Sequence, residues 1–433
     1  MLKHLESYSD QVSRLFGSPG SIEKGIKNIT FQVTEDCCLS CTYCYQNNKS
    51  NKVMTFDVAK RAIDDILEGS DRVKNYVDSW NTAGVVVDFI GGEPLMAIGL
   101  ISDISEYFIK RLIELDHPWR NHFKFSICSN GILYFQPEVQ AYFKKYGKYL
   151  SFSVSIDGNK ELHDACRVFS DGSGSYDIAM KAVKHYVDVL GGTMGSKMTL
   201  APENIRYTFE AVTSLIENGY QSLHLNCVYE EGWTLEHAKI LYSQLKRVAD
   251  YLISHNLVDQ IPISIFDEAH GHENIEDKNW CGGTGLMLAI DPDGNYFPCL
   301  RYMKSSLAGK QEPYIIGDIT QGIGRCATHV DRLACLDCIT MSSQSSEKCI
   351  TCPIASGCGW CSAYNYEVYG TPNKRATFIC QMHQARILAT AYLWNTWYRK
   401  INSKKRYVLD IPKSWALEII SEAEYNTLKE GEL

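Results

Sequence analysis

Apolar residues along the first half of the chain switch between two periods. Residues 27–34 (KNITFQVT), 84–90 (GVVVDFI), 123–129 (FKFSICS), 150–156 (LSFSVSI), 194–200 and 222–228 are short apolar or β-branched runs, which predict strands. Longer stretches of helical period lie between them. In 55–68, Ala59, Ala62, Ile63, Ile66 and Leu67 recur at i, i+3, i+4, i+7 and i+8 on one face. Similar stretches cover about 101–115, 176–190, 203–217 and 235–254. Strands alternating with helices predict an α/β fold of βαβ units, six of them in an open or partial (β/α)6 barrel. Function then belongs at the C-terminal ends of the strands.

The alternation fades after about residue 255. Residues 270–279 read as a polar loop, and 281–380 is dominated by cysteine with few long periodic runs. Residues 383–400 return to helical period, and the tail to 433 reads as a mixed peripheral segment. The expected organisation is an N-terminal segment over 1–26, a barrel over 27–255, a bridging and cysteine-rich region over 256–385, and a helix and tail over 386–433. A loop-rich region needs staples to hold a fold, and metal clusters can supply them.

Composition narrows the class. Of the 433 residues, 45% are hydrophobic and 22% charged, which suits a globular chain rather than a disordered one. A net charge of -8 argues against a basic nucleic-acid face. No run approaches the ~18–20 apolar residues of a membrane helix. Lys3, His4, Glu6 and Asp10 stand where a signal peptide needs an apolar stretch. A cytoplasmic chain with neither nucleic-acid nor membrane partners is expected. In a reducing compartment, 17 cysteines point to thiolate ligation of metal rather than to disulfides.

Their placement is informative. Cys37-x3-Cys41-x2-Cys44 follows the first predicted strand, within TEDCCLSCTYCYQ. Three thiolates on one short loop can hold three irons of a [4Fe–4S] cube and leave the fourth iron to an exogenous ligand. A partial zinc knuckle, or a cluster with a distant fourth cysteine, is the competing reading. Cys38 does not fit the spacing and reads as a bystander. The second strand ends in Gly91-Gly92-Glu93-Pro94, a tight turn whose carboxylate can accept from an ammonium. The third ends in Ser129-Asn130-Gly131 and the fourth in Ser155-Ile156-Asp157-Gly158. His163-Asp164-x2-Arg167 and Gly172-Ser173-Gly174-Ser175 follow. Taken singly, each is a polar strand-to-helix loop.

In this order, over roughly residues 27–230, the motifs resemble the radical S-adenosylmethionine (radical SAM) superfamily, and within it the enzymes that modify peptides. The resemblance implies that Cys37, Cys41 and Cys44 bind a [4Fe–4S] cluster whose open iron is chelated by the methionine part of SAM. It implies that Tyr43 lies near the adenine, and that Gly91, Gly92, Glu93 and Pro94 meet the amino group of SAM. Ser155 and Arg167 are implied to help hold SAM. His163 and Asp164 are expected to brace a loop.

The C-terminal cysteines extend the resemblance. Cys281 is followed by Pro292-Asp293-Gly294-Asn295, by Gly294-x4-Cys299, by Cys349-x2-Cys352-x5-Cys358-x2-Cys361, and by Cys380. This resembles the SPASM domain, which carries two auxiliary [4Fe–4S] clusters, for three in all. The chain departs from the usual pattern in having two residues, not three, between Cys358 and Cys361. The resemblance puts Cys349, Cys352, Cys358 and Cys380 on the distal cluster and Cys281, Cys299 and Cys361 on the nearer one. Two cubes ligated wholly by cysteine need eight thiolates. Cys326, Cys335 or Cys338 could supply the eighth, or an open iron could take a substrate thiolate; both readings stand. A pair of zinc sites is a further alternative, because CxxC pairs suit zinc. Cys128, Cys166 and Cys227 are expected in or beside the core as small hydrophobes.

On this resemblance the chain cleaves SAM reductively, and a 5′-deoxyadenosyl radical takes a hydrogen atom from an unactivated C–H bond of a ribosomally made precursor peptide. Sulfatase maturases of the group have Asp where this chain has Leu300, which counts against that activity. Residues 345–367 (SSEKCITCPIASGCGWCSAYNYE) are similar to maturases whose precursors carry Cys-x3 repeats and which form thioethers from cysteine sulfur to a carbon, for example of an acidic residue. Carbon–carbon crosslinking and epimerisation are alternatives. A non-catalytic iron–sulfur or zinc scaffold is the reading from another class, and it would need no SAM-binding strand ends. Expected partners are a cysteine-containing precursor and a reductant such as flavodoxin or ferredoxin. The 36 residues ahead of Cys37 are fewer than the leader-binding domain of several such maturases needs. Leader binding is therefore expected from a separate protein, the barrel, or the polar surface around 270–278.

Overall fold

The computed structural model describes residues 26–191, 195–273, 277, 279 and 281–430. The expected N-terminal segment lies almost wholly outside the described residues, as does part of the polar surface at 270–278.

The predicted alternation is present. Strands β1 (Lys27–Gln32), β2 (Val85–Ile90), β3 (Phe123–Ser129), β4 (Leu150–Val154), β5 (Gly195–Leu200) and β6 (Ser222–Cys227) alternate with helices. The longer helices are α1 (Phe56–Leu67), α2 (Ile98–Glu114), α3 (Pro137–Tyr146), α4 (Lys160–Cys166), α5 (Tyr176–Leu190), α6 (Thr208–Glu217) and α7 (Leu235–Ser254). In α1 the five residues of the predicted stripe are the buried ones, and Thr55 caps its N-terminus through the Val58 N–H. β1 to β4 are parallel neighbours, with Thr30 opposite Asp88, Asp88 opposite Ser126 and Cys128 opposite Ser153. β5 and β6 form a second parallel pair, Lys197 opposite His224. The Ser196 hydroxyl donates to Ile156 O at 3.4 Å and joins the two arcs.

Strand alternation sorts the residues into two faces. Val85, Val87, Phe89, Phe125, Ile127 and Phe152 are buried in the core, each worth about 1.5–3 kcal/mol of burial. Asp88, Ser126, Cys128, Ser153, Lys197 and His224 occupy the opposite, more accessible face of the same strands. Cys128 is therefore exposed, not a core residue as expected. In FKFSICS its place out of phase with Phe123, Phe125 and Ile127 already carried that signal.

The cysteine-rich region is not a separate sheet. β7 (Met287–Ile290) pairs in parallel with β1, Ile29 opposite Leu288. β8 (Asn295–Phe297), β9 (Gly317–Asp318) and β10 (Gly322–Ile323) then extend it antiparallel. The full order is β10-β9-β8-β7-β1-β2-β3-β4, so the sheet runs straight across the change in composition near residue 255. Helices α8 (Ala327–Asp337), α9 (Ser362–Tyr369), α10 (Cys380–Lys400), α11 (Lys413–Ile419) and α12 (Glu422–Glu430) complete the chain. α10 packs along α7, with Tyr392 donating to Asp250 at 2.6 Å. The tail packs too: Leu409, Ile411, Ala416 and Leu428 are buried. Among the described residues no helix is long and apolar enough to cross a membrane.

Candidate functional site

The loop after β1 carries Cys37, Cys41 and Cys44 and is gripped from two sides. On one side it meets the end of β2: the Gly92 N–H donates to Thr34 O at 3.2 Å and the Glu93 N–H to Asp36 O at 2.8 Å. On the other, Ser40 and Thr42 donate their backbone N–H groups to Val168 O (2.7 Å) and Cys166 O (3.0 Å). Gly92 has to be glycine here, because a Cβ would lie 2.4 Å from Asp36 O and 2.7 Å from the Cys37 Cβ. Cys41 lies within electrostatic reach of both Cys37 and Cys44. Cys37 is held down to about 6, chiefly by a hydrogen bond with Cys38. The Asn130 amide reaches Cys38 Sγ at 3.3 Å. Cys38 and Asn130 thus belong to the surroundings of Cys37, a contact between distant segments that the sequence does not announce.

Glu93 is 1% exposed and accepts from Ser129 Oγ (2.8 Å), Asn130 N (2.8 Å) and Leu95 N (3.0 Å). Burial still dominates and pushes its carboxyl up to about 7. Ser155 sits at the adjacent strand end, bonded through its N–H to Ser129 O at 2.9 Å, with its hydroxyl 3.5 Å from Cys128 Sγ. The Arg167 side chain is committed to Asp157, with Nε at 2.7 Å and Nη2 at 3.3 Å from the two carboxylate oxygens. Its guanidinium stands 5.4 Å from the Tyr43 ring, and the Tyr43 hydroxyl donates to the same Asp157 carboxylate. His163 is buried within 3.0 Å of Ser175 Oγ, and Asp164 accepts from Tyr176 N at 2.8 Å.

Ten cysteines remain in the C-terminal region. Cys281, at a 3₁₀ turn before β7, Cys299, after β8, and Cys361, before α9, lie within electrostatic reach of one another. A Cβ on Gly283 would come within 3.3 Å of Cys299 Sγ, and Ser362 Oγ is 3.2 Å from Cys281 Sγ. Tyr229, Tyr302 and Arg301 face this set, and Arg301 is paired with Glu230 at 3.0 Å. Cys349, Cys352, Cys358 and Cys380 form a second mutual set, from a single-turn helix, a loop and the first residue of α10. Three other thiols lie between Cys299 and Cys349 in the chain. Cys326 and Cys338 are exposed, while Cys335 faces Thr371 and Tyr314. The Tyr314 ring is 4.9 Å from that of Tyr302, whose other neighbours are the thiols of the nearer set.

Among the described residues no group of three or more His, Cys, Asp or Glu side chains is arranged to hold a single metal ion. A [4Fe–4S] cube would take each thiolate at a separate corner. Desolvation pushes the Cys358 thiol up to about 11.

Residues 31–218 match the model of the radical SAM superfamily. The uncharacterized protein MJ0907 of Methanocaldococcus jannaschii is 29% identical over 275 residues, covering 64% of this chain and 85% of that protein. The antilisterial bacteriocin subtilosin biosynthesis protein AlbA of Bacillus subtilis is 22% identical over 285 residues, covering 65% of this chain and 56% of that protein. Among solved structures, native anSMEcpe with bound AdoMet superposes with a TM-score of 0.62 at 16% identity, over 87% of this chain and 98% of that one. Streptococcus suis SuiB bound to precursor peptide SuiA gives 0.55 at 15%, over 86% and 78%. At these identities the structures establish a shared fold, and it spans the cysteine-rich region as well as the barrel.

Proposed function

The chain carries a radical SAM domain, and from that premise we propose that it is a cytoplasmic peptide maturase that forms thioether crosslinks in a ribosomally made precursor. The observation that carries the proposal is the sorting of ten cysteines into three separate sets. Cys37, Cys41 and Cys44 sit at the strand ends, Cys281, Cys299 and Cys361 form a set of three, and Cys349, Cys352, Cys358 and Cys380 form a set of four. The first set would hold the cluster that binds SAM, and the other two would hold auxiliary clusters. A cube on this set needs a fourth ligand beyond Cys281, Cys299 and Cys361. A cysteine of the peptide can complete it, which favours sulfur as one partner of the new bond. A peptide substrate also agrees with the part AlbA takes in bacteriocin subtilosin biosynthesis and with the precursor peptide bound in SuiB.

When bound, SAM and the clusters supply the 5′-deoxyadenosyl radical and an acceptor for the one electron left over when a C–S bond replaces a C–H and an S–H bond. The chain's own residues do the positioning. Glu93, backed by Ser129 and the Asn130 N–H, presents a buried carboxylate to the ammonium of SAM. Arg167 and Asp157 fix Tyr43 and, through it, the loop between Cys41 and Cys44. Ser155 offers a hydroxyl beside them. Carbon–carbon crosslinking or epimerisation of a peptide would use the same first set and would call for no substrate sulfur.

The test is anaerobic purification and reconstitution, iron and sulfide analysis, SAM cleavage with dithionite, and incubation with short cysteine-rich peptides encoded beside this chain. About twelve irons per chain, release of 5′-deoxyadenosine, loss of two hydrogens per site and loss of thiol alkylation are expected. Deuterium uptake without that mass loss would show epimerisation instead. A zinc-filled protein inert toward SAM would overturn the proposal altogether.

A further inference from the structure

We propose that Arg375, assisted by Lys348, raises the reduction potential of the cluster held by Cys349, Cys352, Cys358 and Cys380. The inference rests on the reading of these four thiols as cluster ligands.

The geometry fixes Arg375 at two points. Its backbone N–H donates to Gln344 O at 2.9 Å, and its Nη2 donates to Cys358 O at 2.8 Å. The guanidinium is thus tied to the main chain of a ligand residue. Lys348 immediately precedes Cys349, with its ammonium 5.9 Å from the Trp415 ring centroid. Arg375 and Lys348 are the strongest charged neighbours of Cys352 and Cys380 apart from the other thiols, and Arg375 is that of Cys358. Both are cations, and among the described residues neither forms an ion pair with a carboxylate. The nearer set is different: its cation, Arg301, is neutralised by Glu230 at 3.0 Å.

A [4Fe–4S] cube with four thiolates is an anion, and reduction adds one more negative charge. A fixed cation stabilises the reduced form more than the oxidised one and moves the potential upward. Arginine stays charged at every accessible pH, so the effect does not titrate away. Arg375 is only partly exposed, and screening by salt is correspondingly weaker than for a surface charge. Arg375 and Cys358 also line a cavity of about 480 Å³ that is walled on its other side by Asn226 and Cys227 at the end of β6 and by Tyr229. The same cavity is therefore shared by the cation, a thiol of the distal set and the end of β6.

The test uses the full chain with Cys37, Cys41 and Cys44 replaced by Ala, so that only the auxiliary clusters contribute. After anaerobic reconstitution, electron paramagnetic resonance is followed during a redox titration. Cys352→Ala identifies which signal belongs to the four thiols. In Arg375→Gln that signal is expected to shift to a more negative midpoint while the other stays in place. Arg375→Lys should restore most of the shift, and Lys348→Gln should give a smaller displacement in the same direction. An unmoved midpoint in Arg375→Gln, or an equal shift in Arg375→Lys, overturns the inference while leaving the cluster assignment intact. If no signal responds to Cys352→Ala, the assignment of the four thiols has failed, and the role of Arg375 fails with it.

Discussion

Gly92→Ala tests the junction between β2 and the cysteine loop. The added Cβ would stand 2.4 Å from Asp36 O, 2.6 Å from Asp36 C and 2.7 Å from the Cys37 Cβ. Non-bonded carbon contacts settle near 3.5–4.0 Å, so the loop has to retreat by about 1 Å. Overpacking of this kind costs about 1–3 kcal/mol, and each of the two backbone hydrogen bonds that close the junction is worth roughly 0.5–1.5 kcal/mol. The atoms that must move are the main chain of Asp36 and the β-carbon of Cys37, neither of which can swing aside as a long side chain would. The loss should fall on the loop and leave the core packed. Expected results are a near-native circular dichroism spectrum, a deficit of about four irons after reconstitution, and strongly reduced SAM cleavage. Gly99→Ala is the control, because nothing lies within 4 Å of a Cβ there and the position is inside α2. It should stabilise by up to about 1 kcal/mol. If Gly92→Ala keeps its full iron content and its SAM cleavage, the tight junction is not what holds Cys37 in place.

Three further outcomes follow from the same geometry. The Arg167–Asp157 pair is 13% and 6% exposed, so Arg167→Ala should cost about 3–5 kcal/mol by leaving a buried carboxylate unpaired, and the double variant Arg167→Met with Asp157→Leu should recover part of that, read by urea denaturation. His117 is buried with its folded-state pKa lowered by desolvation to about 4, against an ordinary 6.5. Its neutral form is the native one, so its stabilising contribution is complete above pH 6.5 and is lost as the pH falls toward 4, by up to roughly 3 kcal/mol. His117→Asn can keep the bond that the ring accepts from Trp119 N and should flatten the loss of thermal midpoint between about pH 7 and about pH 5. Finally, Cys335→Ser and Cys338→Ser should leave iron content and cluster spectra unchanged; a lost cluster in either would supply the eighth thiolate from the chain itself.

Much of the barrel was legible because each strand has an in-and-out pattern long enough to read. Phe89, Phe125 and Phe152 mark the helix-facing side, and the loops at the strand ends follow from where those runs stop. The sheet beyond β1 was not legible, since β9 and β10 are two residues each and a two-residue strand carries no period. Their pairing depends on β1, more than 250 residues earlier, which no local window can see. The buried tail escaped for a related reason: Tyr407, Leu409 and Ile411 alternate with exposed Val408 and Asp410 over only five residues, too short a run to stand out. Within the site, the grouping of the thiols was expected from the family resemblance rather than from local sequence alone. Spacing could not reveal Asn130 beside Cys38, nor Asp157 between Tyr43 and Arg167, because those contacts join different strand ends.

The parallel pairing of β7 with β1 also bears on how the chain reaches its fold. β1 is synthesised first among the barrel strands, yet one of its edges has no partner until residues 287–290 have been made. For some 250 residues of synthesis that edge offers open N–H and C=O groups to any passing strand. A fragment ending near residue 255 would keep the edge permanently, and aggregation is its expected fate. The cysteine-rich region thus acts as the barrel's missing side wall, so the barrel is complete only once that region has been made.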